Sequence, residues 1–541
     1  MMPSRSNALL LSDIRAPFDA PEEQVIQIAT VKMKRAHVQT AGLHFRIYKK
    51  SLDARRKNDI LQVCSVLVES DAPLQLSAAA LRSLGARALE QSFPEVLHGS
   101  EPLSARPLVV GMGPAGLFAA LMLAEQGYRP VLIDRGDGVA ARAAATERFR
   151  LTGVLDTESN IQFGAGGAGT FSDGKLVTRV NDPLCHYVLT RLVEFGAPQE
   201  ILQKAKPHVG TDILRVVVDR ILARIEELGG SVHYRTRLTD LKADENGVCA
   251  VTDQGELETG ALLLAIGHSA RDTFSMLRRR GLSMEPKPFS VGVRIEHLRE
   301  DIDRALYGDH AGHPALGPAE YTLSDTTGAR GVYTFCMCPG GVVIPAASEE
   351  GGVVVNGMSY HARDGRNSNA ALAVSVLPSD VGNSIEGAID FQRALERAAY
   401  RVGGGDYVAP VQTVGDFLAN RVGTAPDRVL PSYGDGRVRV GDLREVLPPF
   451  VSDTLAAGLA SFDKKISGFA APFAVLTGVE SRTSSPVRIL RTENRTALGF
   501  ARIYPVGEGA GYAGGITSAA LDGLRSALAV IGRFAPTLAG D

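Results

Sequence analysis

Several things are scarce in this chain of 541 residues, and each scarcity closes off a class of function. Its five cysteines, Cys64, Cys185, Cys249, Cys336 and Cys338, are too few and too scattered to frame a disulfide-stapled domain or a metal site. No apolar run is long enough to span a bilayer. Ala8-Leu9-Leu10-Leu11 is interrupted by Ser12-Asp13 before it makes a signal-peptide core, so a cytoplasmic location with no membrane partner is expected. Net charge is scarce too: 58 Lys and Arg against 60 Asp and Glu leave −2, which gives no pull toward a polyanion. The basic run Lys49, Lys50, Arg55, Arg56 and Lys57 is broken by Asp53 and Asp59 and has few aromatics for stacking. A solvated hairpin accounts for it better than a nucleic-acid surface.

What is present is concentrated between Pro107 and Asp134. Leu108-Val109-Val110 is an apolar β-run that turns through Gly111, Gly113 and Gly116 into the Ala/Leu-rich helix beginning Leu117-Phe118-Ala119-Ala120. A second β-run, Val131-Leu132-Ile133, ends on the carboxylate of Asp134. This is the βαβ grip on a dinucleotide. Gly111 permits the tight turn, Gly113 admits a pyrophosphate to the backbone, Gly116 lets helix and strand pack closely, and Asp134 accepts from a ribose. The helix N-terminus supplies N–H groups and a positive dipole end.

The length calls for two or three domains. Residues 1–100 read as a small α+β module, with a helix opening at Asp19-Ala20-Pro21-Glu22-Glu23, strands at 44–49 and 60–68, and a second helix over 77–91. Residues 106–287 form the first part of a Rossmann-like α/β nucleotide domain, including an amphipathic helix over 212–228 and an apolar strand running to Gly267. Residues 288–465 have a different texture and are assigned to an inserted α+β substrate-side domain. Residues 466–541 return to the nucleotide domain: a strand, the loop from Gly507 to Gly515 with one acid, Glu508, and a helix from Thr517 make a second ligand-gripping element.

With these segments in place, the chain resembles the flavoprotein superfamily typified by glutathione reductase, and within it a group of bacterial FAD-dependent dehydrogenases. The resemblance spans the chain and is carried further by residues 160–176, by Phe335-Cys336-Met337-Cys338-Pro339-Gly340-Gly341, and by residues 481–488. It implies one FAD, with Gly111, Gly113, Pro114, Ala115 and Gly116 at the pyrophosphate and Asp134 on the adenosine ribose. It further implies Glu508 near the ribityl chain, and Gly514, Gly515 and Ile516 presenting helix N–H groups to the ring. A helix N-terminus there favours the negative charge of reduced flavin. The sequence departs from the disulfide reductases in having no CxxC or Cx4C pair after the fingerprint and no second complete GxGxxG unit. NAD(P)H remains a candidate electron donor by another route.

The loop from Gly164 to Leu176, with Gly166 and Gly167, lets backbone lie flat against a planar ring, and Ser172, Asp173 and Lys175 add polar groups beside it. Lys175 is a weak catalytic candidate, as are Cys336 and Cys338, which on a strand would share one face. His208, His268, Arg294, Glu296 and His297 are weaker acid, base or anion candidates. Arg482, Thr483, Ser484 and Ser485 suit either an anionic group or an internally bonded loop. The expected function is an FAD-dependent oxidoreductase of dehydrogenase type, passing hydride or electrons through flavin N5 to or from a small organic substrate. A flavoprotein acting in RNA modification and a non-catalytic FAD-binding protein are the alternatives.

Overall fold

The computed structural model describes residues 5–89, 93, 95–178 and 180–536. The N-terminal module is a four-stranded antiparallel sheet in the order Leu43–Asp53, Leu61–Gln75, Arg5–Pro17, Ala86–Ala88. The helix Glu22–Arg35 covers it through Val25, Ala29 and Met33, spaced one helical turn apart and packed in one core with Leu9 and Leu11. The strand Arg5–Pro17, which carries the apolar run Ala8-Leu9-Leu10-Leu11, is thus central to the sheet. Pro21 occupies the N-cap without a side-chain bond, so Asp19 is not the cap, and the acids Glu22 and Glu23 fall in the first turn. The helix expected over 77–91 ends after Ala78–Leu84, because Gly85 turns left-handed and the chain passes into the strand Ala86–Ala88. Residues 90 and 91 of that expectation lie outside the described residues.

The nucleotide domain is built on a parallel sheet in the order Ile503–Pro505, Leu262–Leu264, Leu108–Val110, Val131–Ile133, Ser231–His233. The first of these strands comes from the far end of the chain and lies beside Leu262–Leu264. Helix Pro114–Glu125 is buried from Ala115 through Ala124, because it lies between the sheet and the helices Thr211–Glu227 and Ile516–Ile531. That burial explains a helix apolar on every side. A separate antiparallel sheet joins Leu238–Ala243, Val248–Thr252 and Gly255–Thr259.

The chain enters the inserted unit through Met284–Pro286 and leaves it through Val487–Ile489, and these two strands pair as a neck. Beyond the neck, seven strands follow the order Ser324–Asp325, Val332–Cys338, Asn367–Val376, Phe289–Leu298, Val475–Glu480, Ala409–Thr413, Val438–Val440. All ten residues of Phe289–Leu298 and all six of Val475–Glu480 are buried, so neither shows the alternation of a half-exposed strand. Val475–Glu480 lies past residue 465, yet it pairs with Phe289–Leu298 and Ala409–Thr413. The sheet of the inserted unit therefore takes a central strand from the segment placed by sequence with the C-terminal part. The reason is long-range hydrogen bonding that no local pattern announces. Among the described residues no helix is long and apolar enough to cross a membrane.

Candidate functional site

The parallel strands end at a cavity, the place where open α/β sheets receive ligands. Gly111, Gly113, Pro114, Ala115 and Asp134 line it at one end. Gly167, Lys175, Gly267 and His268 form its middle, and Glu508, Gly514, Gly515 and Ile516 close it from the C-terminal segment. The inserted unit supplies the opposite wall through Phe335, Cys336, Asn356, Glu480, Arg482 and Thr483. Gly116, Gly166 and Cys338 lie behind the wall rather than in it. A Cβ on Gly116 would stand 1.8 Å from the Gly111 carbonyl oxygen, so this glycine serves packing. A Cβ on Gly113 would have nothing nearer than the Gly167 Cα at 3.8 Å, so its space opens toward the cavity.

Asp134 does more than terminate a strand. Its Oδ2 accepts the Met112 N–H at 2.7 Å and its Oδ1 accepts those of Gly136 and Gly164, both at 2.9 Å. Three of a carboxylate's roughly four acceptor sites are thereby taken. The acid clasps the fingerprint turn to the glycine-rich loop and keeps one acceptor direction for a ligand.

That loop is held from beneath by Arg142, which is fully buried on the helix Val139–Thr152. Its Nε donates to the Asn160 carbonyl at 2.8 Å, its Nη1 to those of Gly164 and Ala165 at 3.2 and 2.6 Å, and its Nη2 to those of Ile161 and Gly167 at 2.9 and 3.0 Å. One guanidinium thus satisfies the carbonyls of an irregular segment that has no ladder of its own. Sequence reasoning passed over Arg142; the signal was the run of alanines around it, which leaves room for a buried arginine.

The polar tip of the loop is also spent on structure. Asp173 is fully buried and receives Arg363 through both carboxylate oxygens, with Ser359 on Oδ1 and Lys175 at 3.7 Å. Burial works against its charge, but Lys175, Arg363 and Ser359 hold its pKa below the usual carboxylate value. Ser172 donates to the Gly169 carbonyl and accepts from the Gly174 N–H, closing a local turn. Lys175 itself reaches the cavity beside the Asp173 pair.

Behind the His268 side lies a buried network. Glu396 receives Arg271 and Arg482, both bidentate, and the Ser481 hydroxyl, while Arg482 also donates to Ser348. Thr483 donates to the Ser290 carbonyl and Ser485 to those of Val487 and Gly509. The 482–485 cluster is therefore an internally bonded loop, and its arginine is already paired with a carboxylate. Burial, Arg482 and Arg271 push the His268 pKa down to about 3, so a neutral imidazole faces the cavity. The remaining candidates are structural: His208 bonds the His361 carbonyl at 3.0 Å, Glu296 accepts from Asn367 and Ser432, and His297 bonds the Phe469 carbonyl at 2.7 Å. Arg294 pairs with Glu480 at 2.8 Å, a partner no local spacing could have revealed. No group of three or more His, Cys, Asp or Glu among the described residues is placed to hold a metal.

The cavity fits a long anionic cofactor on its own geometry. Gly113 leaves room against the backbone, and the helix Ile516–Ile531 begins at Gly515 with no side-chain cap, so its first N–H groups await an acceptor. Among the described residues, nothing donates a hydrogen bond to the Glu508 carboxylate, and burial pushes its pKa up to about 7 against the pull of Lys287.

Residues 105–263 match the family described as FAD binding domain, and residues 288–483 the family described as FAD-dependent protein, C-terminal domain-like. An uncharacterised protein of Clostridium beijerinckii is 47% identical over 493 residues, covering 90% of this chain and 92% of its own. Aklavinone 12-hydroxylase DnrF of Streptomyces peucetius is 30% identical over 151 residues, 26% of this chain and 30% of that protein. The solved structure of the flavin-dependent halogenase CmlS overlaps 78% of this chain and 56% of its own, with 15% identity and a TM-score of 0.34.

Proposed function

This chain belongs to the same family as the Clostridium beijerinckii protein and is a flavoprotein, and from that premise we propose that it is an FAD-dependent oxidoreductase acting on a small organic substrate. The observation that carries the proposal is the convergence, in one cavity, of the fingerprint turn, the unpartnered Glu508 and the uncapped N-terminus at Gly515. In this proposal the N–H groups of the Gly111-to-Gly116 turn hold the pyrophosphate, and Asp134 takes a ribose hydroxyl with its remaining acceptor direction. Glu508 receives the ribityl hydroxyls, while Gly514, Gly515 and Ile516 place N–H groups where reduced flavin is negative. The bound FAD supplies a two-electron centre at N5. The inserted unit bounds the substrate space with Phe335, Asn356 and Glu480, and excludes water there. His268, neutral at physiological pH, is placed to donate or accept a hydrogen bond in the cavity without adding charge. The dehydrogenase type, with NAD(P)H as donor, is the finer form of the proposal and rests on the resemblance drawn from the sequence.

Denaturation of the purified protein should release FAD and little FMN, because the fingerprint addresses an adenosine diphosphate half that FMN lacks. Anaerobic bleaching by NADH or NADPH, followed by reoxidation with a panel of organic acceptors, then tests the dehydrogenase form. Stoichiometric FMN would overturn the cofactor assignment; retained FAD that no acceptor reoxidises would overturn the oxidoreductase.

A further inference from the structure

Cys336 and Cys338 do not sit as two successive residues on one strand face. Phe335 pairs with Ala371 but Cys338 with Asn369, so this strand holds one residue more than its partner between those positions. Cys336 takes the strain, with a left-handed φ of +44°. The bulge separates the two cysteines by depth. Cys336 lines the cavity beside Phe335, whereas Cys338 is fully buried behind it, its thiol 3.4 Å from the Cys336 carbonyl oxygen.

The charges around the pair are asymmetric as well. The Cys338 thiol, with Arg294 and Lys175 nearby, brings the Cys336 thiol below the usual cysteine range against burial and the charge of Asp173. Cys338 moves the other way, raised by that same pairing, by burial and by the Cys336 charge. Glu480 also faces Cys336, but Arg294 neutralises it at 2.8 Å. Asn369, the ladder partner of Cys338, and Tyr321 keep a buried amide Nδ2 and hydroxyl without an acceptor. Both residues are more than nine-tenths buried.

We propose that Cys336 and Cys338 are a redox-active dithiol that exchanges with small disulfides entering the cavity, Cys336 as the attacking thiolate and Cys338 as the resolving thiol. The proposal deepens the oxidoreductase assignment of the same cavity by naming its substrate class. The Cys336 sulfur attacks one sulfur of RS–SR, forming a Cys336–SR bond and expelling RS⁻. Cys338 then gives its proton to the expelled thiolate and attacks the Cys336 sulfur, closing the Cys336–Cys338 bond and expelling the second RS⁻. The protein dithiol loses two electrons and the disulfide gains them; an external dithiol reverses the sequence.

The test uses full-length protein, FAD-loaded and FAD-stripped, incubated with 2-hydroxyethyl disulfide at pH 6 and followed by intact mass and thiol count. Burial raises the pKa of Cys64, Cys185 and Cys249, so their background reaction is slow. Wild type should lose two thiols and retain no adduct. Cys338→Ser should retain one hydroxyethylthio group, mapped to Cys336. Cys336→Ser, or Cys336→Ala where the serine variant folds poorly, should react about a hundredfold more slowly, as expected when the only ionised thiol is removed. Five intact thiols in wild type, or no adduct in Cys338→Ser with its thermal transition unchanged, would overturn the proposal. The thiol readout does not depend on flavin, so a protein that exchanges disulfides yet releases no FAD would sink the cofactor assignment alone.

Discussion

The two ends of the cavity are built by different means. At the nucleotide end the ligand-facing groups are mostly backbone: N–H groups of a glycine turn and of a helix start, placed by local chain geometry. At the end walled by the inserted unit they are side chains, and most are already committed to one another, as Arg294 is to Glu480 and Arg482 to Glu396. A backbone site is written in a short stretch of sequence, because the turn that exposes the N–H groups is the motif itself. A side-chain site assembled from three strands and a loop has no such contiguous signature. The first kind is sensitive to shape, the second to charge and partner loss, and substitutions at each end should separate the two sensitivities.

The largest effect is expected at Arg142. Arg142→Met leaves the carbonyls of Asn160, Ile161 and Ala165 without a donor, each costing about 1–3 kcal/mol before the loop relaxes, while those of Gly164 and Gly167 keep only the N–H groups of Gly167 and Thr170, so the 160–167 segment should lose its form. FAD content should fall to near zero and the thermal transition should drop or broaden. Arg142→Lys, with three donors in place of a planar fork, should rescue only a minor part. Normal flavin content in either variant would break the claim that the backbone end depends on this one side chain.

Gly113→Val should abolish flavin retention with little change in the melting of FAD-free protein, because the space at residue 113 opens into the cavity. Gly116→Val should instead damage the fold itself, since its Cβ would collide with the Gly111 carbonyl. If the two variants melt alike without FAD, the distinction between ligand space and packing space is wrong.

Asp134→Ala comes next. It removes a ribose acceptor, weakening FAD by about ten- to a hundredfold on a charged hydrogen-bond scale of about 1.5–3 kcal/mol, and it also strands the N–H groups of Met112, Gly136 and Gly164. The FAD-free variant should therefore melt below wild type, a loss that a purely ligand-facing acid would not produce.

Glu508 gives the smallest effect and one with a sign. Its folded pKa is raised to about 7 by burial, above roughly 4.3 for an unfolded glutamate. The folded FAD-free protein binds this proton more tightly than the unfolded chain, so stability falls as pH rises from about 4.3 to 7 and levels off above. Glu508→Gln should remove that penalty, stabilising FAD-free protein at pH 8 by about 1–3 kcal/mol and hardly at all near pH 4.5. A gain that is the same at both pH values would show that the carboxyl is not held back by burial.

What is legible along the chain and what is not follows the same division. The fingerprint, Gly267, Glu508 and the Gly514-Gly515 helix start converge on the cavity because each is a local strand–turn–helix device. Arg142, Arg363, Arg271 and Glu396 were passed over because an isolated charged residue in sequence reads as solvated, and only the fold shows which ones are enclosed. The pairing of Val475–Glu480 into the inserted sheet, and the bulge that sets Cys336 in front of Cys338, were hidden for a related reason. Both are decided by hydrogen bonds to strands far away in sequence.

The amino-acid sequence by itself determined the glycine turn and the parallel α/β sheet around it, because turn chemistry and apolar periodicity act over a few residues. Only the tertiary structure decided which charges are buried, what partners they find and which thiol faces the cavity. Those outcomes depend on desolvation and on contacts between elements tens to hundreds of residues apart, and neither is a property of any short stretch of chain.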